Sequence, residues 1–560
     1  MKANKAIFAI LSVCVLIGIA VYLAVTLFGG VGGPQYDEAE ARAMMEQYMK
    51  KISVTEAKLI RGDLSFSDTS LADTLPDIDK YPLQVKPSTN VYIEIMTSTE
   101  KATVSADAPN DKWLVEVAEK FNRSGVTVDG VPVSVAIRAV ASGVAKDYIV
   151  SGKHVPHVFT PSNEIWGDSI AAEGIEINLV KKRMAGNTAG IVLTKDAHKR
   201  ITDKYGEITV AAVNKAVGDG ELSFGYTNPF ASSVGMNMLL STLYAASPGD
   251  IFSDAAVNAF EKFQANVRFT AYTTLQMTAS AATGRLEGFV SESQQFKNSK
   301  DLQSYVFTPF GVRHDSPVYT LGGLSGAQQG ALDEFLRFCD SKENQDLATK
   351  YGFNQYENYA GENMDGSGAS RAQKLWKEKK NGSLDVVALF VCDLSGSMDG
   401  SPINSVRRAL LNNMQYIGET SHVGILTFSD KVQIALPLAR FDFDQMEYYA
   451  GAVQDMRAGG STALYDAVTA GCQVLMDYRD ANPNTRPIMF ILSDGERTSG
   501  LTYRQIERMA AGLGIPINTI SYNGKFPELE SLSNLNEAAC ISADDEDVMY
   551  KLAAFFNAEF

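Results

Sequence analysis

The hydrophobic pattern changes character several times along the chain. Lys2 and Lys5 precede a run from Ala6 to Gly30 that carries no charge. As a helix such a run crosses a bilayer core of ~30 Å, whereas a secretory signal has a shorter apolar region of roughly 7–15 residues. The lysines stay on the cytoplasmic side and the acidic stretch Asp37–Glu40 follows on the other. Residues 1–30 therefore read as an N-terminal transmembrane anchor, single-pass in the cell membrane, with the bulk of the chain extracytoplasmic. A long cleaved signal is the alternative. A lipoprotein box at Leu11-Ser12-Val13-Cys14 fits poorly, because valine precedes the cysteine. Residues 36–52 have helical spacing, and 53–88 are turn-rich with Pro76, Pro82 and Pro87. Residues 31–88 read as a juxtamembrane segment. Arg61-Gly62-Asp63 within it spells an adhesion tripeptide, too short to carry a function.

Over 89–355 strands and helices alternate. Val91–Met96, Val131–Val140, Val155–Thr160, Asn187–Leu193, Glu221–Tyr226 and Gly288–Val290 have strand character, and Lys112–Phe121, Ala327–Cys339 and Asn344–Tyr351 have helical periodicity. Residues 356–384 are glycine-rich and polar, a linker with one short helix. A second alternating unit fills 385–560. Its strands VVALFV and IMFIL are apolar on both faces, as inner strands of a covered parallel sheet must be. The fold class is α/β throughout.

The composition is that of an ordinary globular protein, 45% hydrophobic and 21% charged. The net charge of −16 argues against broad nucleic-acid binding, which needs basic surface. The acidity is concentrated: residues 385–560 hold 23 acids and 12 bases. Five cysteines without C-x-x-C spacing argue against a cysteine-based zinc or thioredoxin-like site and exclude a dense disulfide framework, while a single bridge stays open.

The strongest chemical signal is Asp393-Leu394-Ser395-Gly396-Ser397, directly after VVALFVC. Ligands collect at the carboxyl ends of strands in open α/β sheets. Thr462 (in GGSTA) and Asp494 (in LSDG) sit at comparable strand ends or loops. Two carboxylates and three hydroxyls, without histidine or thiolate, suit a hard divalent cation, Mg²⁺ or Mn²⁺. The D-x-S-x-S run, the later threonine and the aspartate before glycine resemble the metal-ion-dependent adhesion site of the von Willebrand factor A (VWA) domain, at Asp393, Ser395, Ser397, Thr462 and Asp494. The resemblance covers about 175 residues and implies a Rossmann-like, mostly parallel sheet. It also implies one open metal position, completed by a partner protein's acidic side chain. Asp430 and Asp466 lie near the same edge and read as strand-end and helix-turn polarity rather than as ligands.

Residues 89–355 resemble the two-lobed extracellular solute-binding proteins of bacterial ABC importers. The stretches that carry this are STEK (98–101), ASG (141–143), PSN (161–163), TNP (227–229) with Ser232-Ser233, and the closing SKENQDLATKYGFN (341–354). The resemblance implies an interlobe cleft for a small polar or anionic solute. Ser98, Thr99, Ser142, Thr227, Ser232 and Ser233 are the candidates to face it, although for any one of them helix capping is the stronger reading. No phosphate-binding loop, nucleophile elbow or dinucleotide fingerprint is present, and H-x-x-H at 154–157 has the wrong context for zinc. The reading is a non-enzymatic, membrane-anchored bacterial surface protein whose VWA domain mediates metal-dependent protein–protein interaction or adhesion. The alternative is the substrate-binding component of an ABC-type importer with an accessory VWA domain.

Overall fold

The structure, a computed structural model, describes residues 37–560 except 65–69, 106–107, 268, 272–273, 283, 285, 383, 496 and 537. The expected anchor at 1–30 and Cys14 lie outside the described residues. Among the described residues no helix is long and apolar enough to cross a membrane.

The C-terminal unit is built on a seven-stranded sheet. Its order is Val54–Glu56, Val432–Arg440, His422–Phe428, Asp385–Asp393, Thr485–Ser493, Ile517–Tyr522 and Cys540–Ala543. All neighbouring pairs are parallel except Val432–Arg440 with His422–Phe428. The central strand shows why its sequence is apolar on both faces. Ala388, Phe390 and Cys392 enter the core beneath helices Ser401–Asn412, Phe443–Gln454 and Val548–Glu559. Val387, Leu389 and Val391 enter the opposite core beneath Leu464–Ala481 and Tyr503–Leu513. This is the period-two alternation of a strand covered on both sides.

The first strand of that sheet comes from the segment read as juxtamembrane, and this changes the picture of residues 31–88. Helix Glu38–Met49 packs on Tyr503–Leu513, with Ala41 and Met45 buried in the same core as Leu464 and Ile506. Arg42 pairs with Asp480 at 2.8 Å, and Val54–Glu56 is in register with Val432–Ile434. Arg61-Gly62-Asp63 runs along Phe443–Gln454, where Gly62 N donates to Glu447 O at 2.8 Å. A Cβ on Gly62 would lie 2.3 Å from Gly451 N, so the glycine of the tripeptide serves a close backbone approach. Farther on, Leu83–Val85 joins a different sheet, so 31–88 is not one spacer.

The central module has two sheets. One runs Leu83–Val85, Val131–Ala139, Val91–Thr97, Val158–Thr160, Val318–Leu321, Ile177–Lys181. The other runs Phe269–Ala271, Phe224–Thr227, Gly288–Glu292, Thr188–Thr194, Tyr305–Arg313. The chain passes between these two lobes at 182–187 and again at 314–317. The stretch 356–384 is more than a linker. Its helix Ala369–Lys379 buries Trp376, whose Nε1 donates to Tyr226 OH at 2.5 Å, while Lys377 Nζ donates to Asn557 Oδ1 at 2.9 Å. Tyr550 OH also donates to Asp147 Oδ2 at 2.7 Å, and Lys80 pairs with Asp544. These contacts seam the central module to the C-terminal unit. The four described cysteines are free thiols, three of them buried.

Candidate metal centre and interlobe cleft

Asp393 ends the central strand of the C-terminal sheet, and its neighbour on one side ends at Ser493. The chain leaves the central strand for His422–Phe428 and Val432–Arg440 on one side and then returns to Thr485–Ser493 on the other, which makes this edge a topological switch point. Asp393 is fully buried, Asp494 half-buried and Ser397 exposed, so the cluster grades from the core to solvent. Ser395 N donates to Asp393 Oδ1 at 2.8 Å, and Ser493 Oγ donates to Oδ2 at 2.5 Å. Ser395 Oγ lies 3.1 Å from Ser397 Oγ, which donates to Asp494 Oδ1 at 2.8 Å. Four of the five expected residues are thus linked in one chain of contacts.

Thr462 reaches the same edge through backbone stitching. Gly459 N donates to Leu394 O at 2.7 Å and Gly396 N to Gly460 O at 3.0 Å. Thr462 N donates to Thr498 Oγ1 at 2.8 Å, and its carbonyl accepts from Thr498 N and Ser499 N. Asp430 shapes this loop. Its Oδ1 accepts from Ser461 N at 2.7 Å and from Ser461 Oγ at 2.6 Å. Asp466 Oδ1 accepts from Leu501 N at 2.7 Å. Both carboxylates act on neighbouring loops. Ser493 and Thr498 were not anticipated. The signal for Ser493 was its place immediately before Asp494, at the end of an inner strand.

Burial pushes the Asp393 carboxyl up against the opposing bonds from Ser493 and Ser395, and the charge of Asp494 adds to the rise. Burial also raises Asp494 against the bond from Ser397. A divalent cation held here would offset both costs at once, since it would pair each carboxylate with opposite charge. The donor set of two carboxylates and hydroxyl oxygens therefore fits Mg²⁺ or Mn²⁺. Among the described residues no group of three or more His, Cys, Asp or Glu forms a metal cluster.

The solute candidates separate into two places. Ser98 and Ser142 are buried at adjacent strand ends of the first lobe, joined there by Ser162, which was not a candidate. Thr99 is exposed on the helix turn beside them. In the second lobe Thr227 Oγ1 donates to Ser232 Oγ at 2.9 Å, Ser232 caps helix Ser233–Ala246, and Ser233 Oγ accepts from Trp166 Nε1 at 2.8 Å. The last contact ties the two lobes together. His154 and His157 are half-buried and pair with the strand carrying Glu94, at 3.0 Å to Glu94 Oε1 and 3.0 Å from Glu94 N. Both side chains are engaged with that strand.

Residues 385–559 match the family model of the von Willebrand factor type A domain, and residues 102–354 match that of the bacterial extracellular solute-binding proteins. The chain joins a VWA domain to a solute-binding-protein domain. Inter-alpha-trypsin inhibitor heavy chain H1 of Sus scrofa is 26% identical over 197 residues, covering 33% of this chain and 21% of the relative. The uncharacterized protein sll0103 of Synechocystis is 24% identical over 135 residues, 24% of this chain and 31% of the relative. The match thus spans between a fifth and a third of these relatives' lengths. Similar solved structures include the sulfate-binding protein SubI from Mycobacterium tuberculosis H37Rv, at TM-score 0.33 and 15% identity over 48% of this chain and 88% of that one. A von Willebrand factor type A structure from Catenulispora acidiphila has TM-score 0.29 and 15% identity, over 31% of this chain and 42% of that one.

Proposed function

We propose that this chain is a membrane-anchored, non-enzymatic bacterial surface protein whose VWA domain binds a partner protein through a divalent cation. Asp393, Ser395, Ser397, Thr462 and Asp494 would hold Mg²⁺ or Mn²⁺, and the bound ion supplies an open coordination position for a carboxylate. The observation that supports this best is the linked set Asp393–Ser395–Ser397–Asp494 at the carboxyl edge of the sheet, graded from buried to exposed. Ser493 and the backbone of Ser395 fix the buried carboxylate, and Asp430 fixes the loop that carries Thr462. Such outer contacts orient ligands before an ion arrives. Because helix Glu38–Met49 packs on the VWA domain, an anchor preceding residue 37 would hold that domain close to the membrane, although it is last in the chain. The domain's net negative charge favours a partner whose acidic contact residue lies among basic flanks.

The test is capture of envelope proteins from the host by the extracytoplasmic chain, in magnesium and in chelator, beside an Asp494→Ala variant. A partner retained by wild type in magnesium and released by chelator, and absent from the variant, is expected. Equal retention in all three conditions overturns the reading.

A further inference from the structure

In the first lobe, strands Val131–Ala139, Val91–Thr97 and Val158–Thr160 lie side by side and parallel, so their carboxyl ends open at one edge. Each is followed within three residues by a buried serine: Ser142, Ser98 and Ser162. Lys101, fully buried, lies beside them. Hydroxyls and an ammonium converging on one strand edge form a donor set suited to a small anion. Thr160 Oγ1, buried at the end of one of these strands, has no partner among the described residues.

These donors already serve an anion that belongs to the chain. Glu100 Oε1 accepts from Ser98 Oγ at 2.6 Å and from Ser162 Oγ at 3.0 Å, and Lys101 Nζ lies 3.5 Å away. Ser142 Oγ lies 3.5 Å from Ser162 Oγ and accepts from Ser162 N at 3.3 Å. Lys101 Nζ also donates to Ser98 Oγ at 2.5 Å, Thr160 O at 3.0 Å and Pro161 O at 3.1 Å. Burial opposes ionisation of Glu100, but the Lys101 charge and the serine bonds outweigh it and hold the carboxyl below its ordinary range. The facing wall adds a second carboxylate. Glu292 of the second lobe accepts from Asn187 Nδ2 at 2.9 Å, pairs with buried His314 at 2.8 Å, and its charge acts on Lys101. Ser316 N donates to Ser162 O at 3.1 Å and His314 contacts Asn163, which places all of this where the chain crosses between lobes.

We propose that Glu100 is an internal anion filling an oxyanion cradle in the interlobe cleft, so that the central module excludes small tetrahedral oxyanions. The cradle is complete in its donors and is closed by the chain's own carboxylate. The module is then a structural partner of the VWA domain rather than an oxyanion receptor. This inference does not depend on the metal site.

The experiment uses the extracytoplasmic chain with sulfate, phosphate and molybdate, against chloride at matched ionic strength. Wild type is expected to give no binding heat and no oxyanion-specific rise in melting temperature. Glu100→Ala removes the nearer of the two carboxylates that face the buried Lys101, so it is expected to melt lower and to recover several degrees with sulfate or molybdate. Glu100→Ala with Lys101→Met is expected to lose that recovery. Oxyanion binding by wild type overturns the proposal, as does a folded Glu100→Ala protein that sulfate, phosphate and molybdate leave unshifted. Should the alanine variant not fold, Glu100→Gln keeps the cradle filled at the same volume. Oxyanion binding to that variant equally overturns the proposal, and its absence there and in wild type supports it.

Discussion

Gly460→Ala tests how the VWA domain positions Thr462, one of the proposed metal ligands. Gly460 has φ +92°, a region that L side chains rarely adopt, and a Cβ there would lie 2.9 Å from Asp430 Oδ2. Its carbonyl accepts from Gly396 N, within the D-x-S-x-S loop, and Asp430 holds the next residue, Ser461. Forcing a side chain into such a conformation costs about 1–3 kcal/mol. Fewer unfolded conformations for alanine return about 0.4–1 kcal/mol. Strain therefore wins, with a net loss of about 1–2 kcal/mol, or roughly 2–8 °C in melting temperature for a domain of this size. The larger consequence is functional. If the loop relaxes away from Asp430, Thr462 leaves the edge shared by Asp393 and Asp494. Disturbing such supporting contacts typically weakens metal affinity about 10- to 100-fold. Thermal unfolding without metal and calorimetric titration with Mg²⁺ measure the two effects separately. A variant with wild-type stability and wild-type Mg²⁺ affinity would refute the claim that this backbone positions the site.

Other outcomes follow from the packing. Gly451→Ala should favour its own helix by about 1 kcal/mol, yet its Cβ would lie 2.0 Å from Ile60 O; residues 57–64 should be displaced and become protease-sensitive, and unchanged digestion would contradict the docking of that segment. Lys380 is pushed down to about 7 by burial, from an ordinary 10.5, so between those values the unfolded chain binds a proton that the fold does not. Stability should therefore rise with pH across that window, by at most about 1.4 kcal/mol per unit, and Lys380→Met should remove the rise; identical pH profiles for the two proteins would refute this.

Much of the fold was legible because its signals are local. VVALFV and IMFIL announce strands covered on both faces, and D-x-S-x-S together with Thr462 and Asp494 marks one edge of that sheet. What stayed hidden depends on distant pairing. Val54–Glu56 is too short to show alternation, and its partner strand begins at Val432. Nothing local distinguishes a docked segment from a spacer in that case. The same holds for the cleft. Ser98 and Ser142 were readable as hydroxyls at strand ends, but Ser162 joins them only because three strands are neighbours in the sheet. That Glu100 turns inward among them is a property of packing, since a carboxylate in a helical turn ordinarily faces water.

The most direct measurement is calorimetric titration of residues 37–560 with Mg²⁺ and Mn²⁺, wild type beside Asp393→Ala. The starting point keeps Glu38–Met49 and Val54–Glu56 with the sheet they complete. One ion is expected to bind wild type, and the variant, still folded through its apolar strands, is expected to bind none. Absence of binding to wild type at millimolar metal, or equal binding by Asp393→Ala, would contradict the account.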